Sequence, residues 1–269
     1  MALPRVSVDD VRGALSSSLS KLGFEVYPLK IGWYNAVLSP PLHLSYPDDT
    51  LAAVVLSTPT MFEQAFLPFL ENRGWKEVIT DPIDQCVRHY VNYIVSECFP
   101  GVKVDVSYDY EMLPSRKPKF LAQTAAHVAG AVYYYQHADV PDQPWGNKKM
   151  FGVCIHPQLG GWFAIRALLV FVGTEVGSEL QQTAPPDSVP RREDRIQLLE
   201  NFNFRWRVGL TQCIMDWSYR DIIPVAQTYS QRQREYFSTS PGQRQYLLRD
   251  WGYLTRGEEE DKQESLHRK

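Results

Sequence analysis

The chain has 269 residues, of which 44% are hydrophobic and 22% charged, and its formal net charge is −3. A sequence of this size and composition can bury a substantial core, as one large domain or two small ones. General binding to nucleic acids or anionic membranes requires clustered Lys and Arg, and the sequence has no such excess. The composition therefore argues against both of these protein classes.

The cysteines and the N-terminal residues bear on the cellular compartment. Cys86, Cys98, Cys154 and Cys213 are widely separated and lack the paired spacing of metal sites, which predicts reduced thiols. The opening residues MALPRVSVDDVR have no apolar signal-peptide core. The longest apolar runs fall far short of the ~20 residues that a transmembrane helix needs. We expect a cytoplasmic protein that does not bind membranes.

Helical and strand patterns alternate through the first part of the chain. Ser7 is placed to cap the first helix, and Gly23 is placed to end it. Apolar and polar residues alternate in the last of the predicted strands, which indicates that one of its faces is covered. The predicted elements are helix 7–22, strand 51–56, a helix that opens at Thr58, helix 81–99 and strand 102–110.

The stretch from Lys119 to Tyr135 predicts a helix with one polar face. Gln123, His127, Gly130 and Tyr134 are spaced by four, three and four residues, so they would lie on one line. The other positions are mostly alanine, and we expect a crevice between them and residues 150–172 that admits a broad, flat ligand. The alternative is a tightly packed core helix with one hydrogen-bonded histidine.

Two strand-like runs follow, Met150–His156 and Trp162–Val172. The loop Pro157–Gly161 contains two glycines that permit a tight reversal, so the two runs are expected to form a hairpin. This arrangement would place Cys154 and Arg166 in one sheet.

The C-terminal part predicts an exposed polar connection over residues 175–190 and then a helix around Ile196. Ser240 is expected to cap the last helix. Arg244 falls in the first turn of that helix, where a cation opposes the helix dipole. Residues 256–269 lack an apolar anchor and are predicted to form a disordered polar tail. Antiparallel connections with helices between them indicate an α+β fold.

Four blocks of sequence carry a resemblance to a known family. They are KFLAQTAAHVAGAVYYY at 119–135, WGN at 145–147, GVCIHP at 152–157 and GGWFAIR at 160–166. These blocks closely resemble the methylmalonic aciduria and homocystinuria type C family of cobalamin-processing proteins, and the resemblance extends from about Phe24 to about Leu248. It implies an antiparallel sheet flanked by helices, similar to flavin-dependent nitroreductases with an added cap, in one domain over residues 1–255.

The resemblance implies two reactions that remove the upper axial ligand of cobalamin. Cyanocobalamin would be reductively decyanated with electrons from reduced FMN or FAD, which NADPH would supply indirectly through a reductase. Alkylcobalamins would be dealkylated by the thiolate of glutathione, with cob(I)alamin as the leaving group. The product would pass to a companion cobalamin-trafficking protein and toward methionine synthase and its reductase. The protein would be a monomer or a weak homodimer.

The resemblance also places cobalamin contacts on particular residues. Small and apolar side chains suit the corrin face, and amide or carboxylate groups suit its polar substituents. For Cys154 and for the tyrosines at 133–135, simple packing remains an alternative. No side chain is expected to hold a metal, since cobalt stays within the corrin. The implied contacts are Asp109, Phe120, Leu121, Ala122, Gln123, His127, Tyr134, Tyr135, Gln136, Cys154 and Ile165.

His127 has two interpretations. His-x-x-Gly with a later Gly-Gly is similar to a corrinoid motif in which histidine replaces the lower base of cobalt. That motif has an aspartate two residues earlier to orient the imidazole, whereas this chain has Ala125. The sequence therefore favours a pocket or structural role over ligation of cobalt.

Glutathione carries two carboxylates, which guanidinium groups bind in a bidentate way. The resemblance implies that Arg166, Arg220 and Arg244 hold them. The sequence departs from the family pattern shortly before Arg220. Residues Val208–Met215 are inserted between Arg207 and Asp216. An insertion so close to Arg220 would be able to displace it.

Two other functions remain open from the sequence. One is a carrier that binds cobalamin without chemistry, and the other is a general flavin reductase or nitroreductase. The sequence has no short glycine loop that would cradle a phosphate, so flavin binding has no motif of its own here.

Overall fold

The structure is a computed structural model that describes residues 6–73, 81–204, 206–208, 213–215 and 217–254. The predicted tail 256–269 lies outside them. Within the described residues, helices flank a central antiparallel sheet, so the predicted α+β fold is confirmed. None of the described helices is both long and apolar enough to cross a membrane.

The helices and strands follow one another along the whole described chain. The helices are α1 (Val8–Asp10), α2 (Ser16–Ser20), α3 (Ile31–Ala36), α4 (Leu67–Arg73), α5 (Pro82–Cys98), α6 (Ala122–Val128), α7 (Arg192–Phe204), α8 (Gln231–Ser238) and α9 (Arg244–Asp250). The strands are β1 (Phe24–Lys30), β2 (Thr50–Ser57), β3 (Val104–Tyr108), β4 (Tyr133–Tyr135), β5 (Val153–Ile155), β6 (Ala164–Glu175), β7 (Trp206–Val208) and β8 (Cys213–Met215). Two π-helical turns, Val11–Leu15 and Phe62–Phe66, lie directly before α2 and α4.

The central sheet has the strand order β1-β2-β6-β3, and each neighbouring pair is antiparallel. Strand β2 is buried at every position, as its continuous apolar run predicts. Alternate residues of a strand point to opposite faces. In β2, Val55 packs into a first core with α5, whereas Val54 packs into a second core with α3 and α6. A third core lies between α7 and the small sheet of β4 and β5.

The predicted single helix over Lys119–Tyr135 is wrong. Helix α6 covers Ala122–Val128 only, and Gly130 follows it with a φ of +77°, which side chains other than glycine rarely adopt. A Cβ at this position would also lie 2.8 Å from the carbonyl oxygen of Thr183. The next residues form strand β4, in keeping with the preference of tyrosine for strands.

The predicted hairpin between residues 150–156 and 162–172 is also wrong. Strand β5 pairs with β4, and β6 instead lies between β2 and β3 in the central sheet. The strand pairing between the two runs is limited to an isolated bridge between His156 and Gly160. Cys154 and Arg166 are therefore in different sheets.

The two predicted serine caps have different outcomes. Ser7 caps the first helix, since its Oγ accepts the backbone N–H of Asp10 at 3.1 Å. Ser240 makes no side-chain cap, so that prediction is wrong. Its backbone carbonyl accepts the N–H of Gln243 instead, at 2.8 Å, in a 3-10 turn that precedes α9.

Candidate functional site

Four of the predicted contacts lie together at the partly exposed rim of the second core. Leu121, Ala122, Tyr134 and Ile165 are half-buried and pack against the same cluster. Cys154 belongs to that cluster with 8% of its surface exposed, directly opposite Tyr134 in the pairing of β4 with β5. The structure thus brings together an apolar surface from α6, β4 and β6. We call these five residues the apolar rim.

The alanines expected to line a crevice are core residues instead. Ala125 and Ala126 are fully buried in the second core, where α6 packs against β6. Side chains therefore fill the space between this face of the helix and the sheet, and the expected crevice is absent there. The face that remains partly open is the one with Ala122, Gln123 and His127.

Two further predicted contacts are buried. Phe120 is a member of the second core. Tyr135 is fully buried in the third core, where its hydroxyl donates to Asp187 Oδ1 at 2.7 Å and accepts the N–H of Val189 at 2.8 Å. These hydrogen bonds give Tyr135 a structural role. Gln123 and Gln136 are exposed.

Cys154 is not poised for reaction. Burial in its apolar surroundings raises the pKa of the thiol well above its ordinary value. The same holds for Cys86, because burial raises its pKa although the charge of Arg166 opposes the shift. Both residues are therefore neutral thiols near neutral pH, and a thiolate is the reactive form of cysteine.

His127 connects the end of α6 to the start of β4. Its Nδ1 accepts the backbone N–H of Tyr134 at 3.1 Å, so the neutral imidazole carries its proton on Nε2. Burial lowers the pKa of His127, and a hydrogen bond with the backbone of Val132 partly offsets this. With one nitrogen accepting and the other protonated, no lone pair is free for a metal. The geometry supports the structural interpretation of this residue.

Asp109 directly follows β3 at the end of the central sheet, and its backbone N–H donates to the carbonyl of Arg166 at 3.1 Å. Its side chain is exposed, yet surrounding protein atoms dehydrate the carboxylate and raise its pKa to about 6. The guanidinium of Arg166 opposes this shift, and the charge of Asp84 adds to it.

Arg166 occupies a bulge near the start of β6. Val55 pairs with Ala167 and Leu56 with Ile165, so Arg166 is the extra residue of its strand. It is 7% exposed, and its Nε donates to Ser57 Oγ at 2.9 Å. Ser57 lies on the same face of β2 as Val55, so Arg166 extends toward the first core, opposite to Ile165.

Arg244 is held by the preceding helix. Its Nε donates to the carbonyls of Tyr236 and Thr239, at 3.2 and 3.1 Å, at the C-terminal end of α8. The partial negative charge of that helix end offsets the unfavourable position of Arg244 at the start of α9. Burial raises the pKa of Asp84, and the charges of Arg166 and Arg244 both oppose this. The charges of both arginines therefore act on one carboxylate.

Arg220 lies in a cage of aromatic rings. Its guanidinium carbon is 5.1 to 5.6 Å from four ring centroids, and its Nη1 donates to the carbonyl of Gly161. Contacts between the rings of Tyr229 and Phe237, and between Phe237 and Arg244, link this cage to Arg244. The four rings belong to Trp162, Trp217, Tyr219 and Tyr229.

The inserted residues take part in a hairpin. Strands β7 and β8 pair so that Trp206 is opposite Met215, and residues 209–212 lie outside the described chain. This pairing places Met215, the last inserted residue, beside a residue that precedes the insertion. The four rings that surround the guanidinium of Arg220 belong to residues outside the insertion.

Several groups at this end of the sheet were not predicted from the sequence. Ser57 orients Arg166, and its only sequence signal is a polar residue that ends an apolar strand. The charges of Arg166 and Arg244 act on Asp84, but this residue lies in the first turn of a helix, where acids are common for other reasons. His156 is buried within one of the family blocks. Among the described residues, no cluster of His, Cys, Asp and Glu could hold a metal ion.

The strand ends place these groups at one edge of the molecule. Ser57 ends β2, Ile165 and Arg166 are near the start of β6, and Asp109 follows β3. Antiparallel neighbours bring these positions to the same end of the sheet. At this end, the apolar rim lies on the face of the second core, and Arg166 lies on the opposite face of the sheet.

The sequence matches the methylmalonic aciduria and homocystinuria type C family over residues 23–248. It is 59% identical over 255 residues to the cyanocobalamin reductase / alkylcobalamin dealkylase of Danio rerio, across 95% of this chain and 98% of that protein. The Homo sapiens protein of the same name is 49% identical over 241 residues, which cover 90% of this chain and 82% of that protein.

The fold is similar to the crystal structure of the B12-trafficking protein CblC of C. elegans. The TM-score is 0.78 at 32% identity, with 90% of this chain and 96% of that chain covered. The matched residues agree with the range over which the sequence blocks predicted a resemblance. Because these matches cover most of the sequence, the chain belongs to the methylmalonic aciduria and homocystinuria type C family.

Proposed function

We propose that the protein binds cobalamin with its lower base displaced and removes the upper axial ligand from cobalt. The observation that carries this proposal is the 59% identity to a relative named for both cyanocobalamin reduction and alkylcobalamin dealkylation, over 98% of that relative. Almost the whole of that relative therefore has a counterpart here. We assign the activity to one domain over residues 1–255.

The apolar rim is the surface proposed for the corrin. Half-buried Leu121, Ala122 and Ile165 offer apolar contacts, and the phenol ring of Tyr134 adds an aromatic face. Exposed Gln123 and Asp109 supply polar groups for the amide substituents of the ring. Since His127 has no free lone pair, it does not replace the displaced base. A five-coordinate cobalt is easier to reduce, which would favour both reactions.

For dealkylation we propose a thiol that comes from outside the protein. Burial raises the pKa of both Cys86 and Cys154, so neither supplies a thiolate. Glutathione fulfils this requirement, and its carboxylates suit Arg166, Arg244 and Arg220. In the reaction, the sulfur forms a bond to the alkyl carbon, the cobalt–carbon bond breaks, and its electron pair stays on cobalt. The proton of the thiol passes to solvent.

Decyanation requires a reductant in place of the thiol. Reduced FMN or FAD is proposed as the diffusible electron donor, with NADPH acting indirectly through a reductase. We assign flavin no binding residues, because the sequence has no glycine-rich phosphate loop. The product is proposed to pass to a cobalamin-trafficking partner and on to methionine synthase and its reductase. We propose a cytoplasmic protein that is a monomer or weak dimer.

Visible absorption spectroscopy tests the proposal directly. Mixing the protein with cyanocobalamin or methylcobalamin should change the base-on spectrum to a base-off spectrum. Anaerobic glutathione should then convert methylcobalamin to a reduced form, and reduced flavin should convert cyanocobalamin. A base-off spectrum without either conversion would indicate a carrier. An unchanged spectrum at saturating protein would refute cobalamin binding and leave a general flavin reductase.

The arginines can be tested separately from cobalamin binding. Arg166→Ala and Arg244→Ala should impair glutathione-dependent dealkylation more than flavin-driven decyanation, because only the first reaction needs carboxylate binding. Arg191→Ala is the matched control, since the side chain of Arg191 is 72% exposed and distant in sequence from all three arginines. Equal loss of both activities in the Arg166 and Arg244 variants would contradict their assignment to glutathione.

A further inference from the structure

A buried histidine lies between the edge strand β1 and the loop that supports Arg220. His156 is 1% exposed, and its Nε2 is 3.0 Å from the hydroxyl of Tyr27 and 3.2 Å from Glu25 Oε2. The Tyr27 hydroxyl donates to the same carboxylate oxygen at 2.8 Å. Burial opposes ionisation of Glu25, but hydrogen bonds from His156 and Tyr27 lower its pKa below the ordinary value. The ionised carboxylate of Glu25 therefore accepts a hydrogen bond from the Nε2–H group of His156.

The other ring nitrogen holds the loop. Nδ1 of His156 accepts the backbone N–H groups of Gln158 and Leu159, both at 3.2 Å. An unprotonated nitrogen is required to accept two N–H donors, so the neutral Nε2–H tautomer satisfies every contact of the ring. The backbone of His156 also exchanges hydrogen bonds with Gly160, at 2.8 and 2.9 Å. One residue thus sets the shape of the loop Pro157–Gly161.

This loop packs directly on the backbone of Arg220. The N–H of Gly161 donates to the carbonyl of Arg220 at 3.0 Å, and the Nη1 of Arg220 donates back to the carbonyl of Gly161. A Cβ on Gly160 would lie 2.5 Å from that Arg220 oxygen, and one on Gly161 would lie 2.8 Å from Arg220 Cα. There is no space between the two segments, so any shift of the loop moves Arg220.

We propose that His156 is a positioning residue for the thiol substrate, acting through the loop Pro157–Gly161 on Arg220. The inference rests on the proposed role of Arg220 in binding a carboxylate of glutathione. His156 touches neither substrate in this role. It transmits the position of strand β1 to a guanidinium that the sequence places 64 residues further along the chain.

Two amide substitutions separate the functions of the two ring nitrogens. In His156→Asn the Oδ1 atom can replace Nδ1 as the acceptor for the loop, whereas the contacts with Glu25 and Tyr27 are lost. In His156→Gln the amide reaches Glu25, but no acceptor remains near the loop. We expect His156→Gln to raise the KM for glutathione about tenfold in methylcobalamin dealkylation, and His156→Asn to stay within about twofold of wild type. Flavin-driven decyanation should be equal in both variants.

A double-mutant cycle shows whether the effect passes through Arg220. On an Arg220→Ala background, His156→Gln should produce no further rise in KM, since the residue it positions is absent. An equal rise on both backgrounds would overturn the proposal, and so would equal behaviour of His156→Asn and His156→Gln. His156→Leu also lacks the acceptor, so it repeats the test if His156→Gln does not fold.

A readout without glutathione keeps this inference distinct from the proposed function. Trp162 and Trp217 are in the cage of Arg220, so near-ultraviolet circular dichroism reports its geometry. The spectrum should change in His156→Gln and not in His156→Asn. If wild type fails to use glutathione while this spectral difference is present, the proposed function is wrong and the positioning of Arg220 by His156 stands. No spectral difference would refute the positioning itself.

Discussion

Removing the charge of Asp109 should stabilise the protein at neutral pH. The folded chain raises the pKa of this carboxyl from 3.8 to about 6, so the fold favours its protonated form. That stabilising contribution is complete below pH 3.8 and is lost as the pH rises through about 6. Above this range, the wild type carries the full cost of an ionised carboxylate near Asp84 that Arg166 only partly offsets.

The size of the expected stabilisation follows from the pKa shift of Asp109. At about 1.4 kcal/mol per pKa unit, a shift of this size has a ceiling of about 3 kcal/mol, and solvent screening of an exposed side chain reduces it to about 1 kcal/mol. In a domain of this size, that free energy corresponds to a rise in Tm of about 2–4 °C. Asp109→Asn should therefore melt above wild type at about pH 7.5.

Thermal unfolding at two pH values tests whether ionisation of Asp109 causes the difference in stability. The difference between Asp109→Asn and wild type should shrink at about pH 4.5, where Asp109 is protonated. Glu71→Gln, which removes an exposed carboxylate on α4, is the control and should show no such pH dependence. A variant that melts below wild type at neutral pH would refute the reasoning. If the variant is more stable but binds cobalamin less well, the carboxylate is retained for binding at a cost in stability.

Two further predictions concern backbone and hydrogen-bond energetics. In urea titrations, Gly160→Ala should lower the free energy of unfolding by more than Gly146→Ala does. Both glycines have a φ of +57°, but only at Gly160 would the added Cβ meet a neighbouring backbone atom, the carbonyl oxygen of Arg220. Equal losses in the two variants would contradict this clash. Tyr135→Phe should cost about 1 kcal/mol of unfolding free energy, because it removes two hydrogen bonds of the buried hydroxyl. Asp187 keeps its ion pair with Arg195, and the Val189 N–H keeps a hydrogen bond of 3.3 Å to Asp187. Tyr133→Phe, which removes one hydrogen bond of 3.4 Å, is its control, and a loss as large as that of Tyr135→Phe would refute this explanation.

Local patterns in the sequence determined much of this protein. The continuous apolar run predicted the buried strand β2, and the cap at Ser7 was read from a few neighbouring residues. Such features depend on contacts within a turn or a strand, which the order of residues specifies directly. The long family blocks likewise indicated the family, because they match over most of the chain.

Only the tertiary structure decided which strands pair and which way side chains face. Alternating or apolar runs mark a strand but not its partner, so β5 paired with β4 and not with β6. The bulge at Arg166 then directed its side chain to the face opposite Ile165, which no local pattern encodes. The contact between His156 and Glu25 joins residues that are remote in sequence. It arises because the folded chain buries the imidazole, and a buried polar group needs hydrogen-bond partners. The Glu25 carboxylate serves one ring nitrogen, and two backbone N–H groups serve the other.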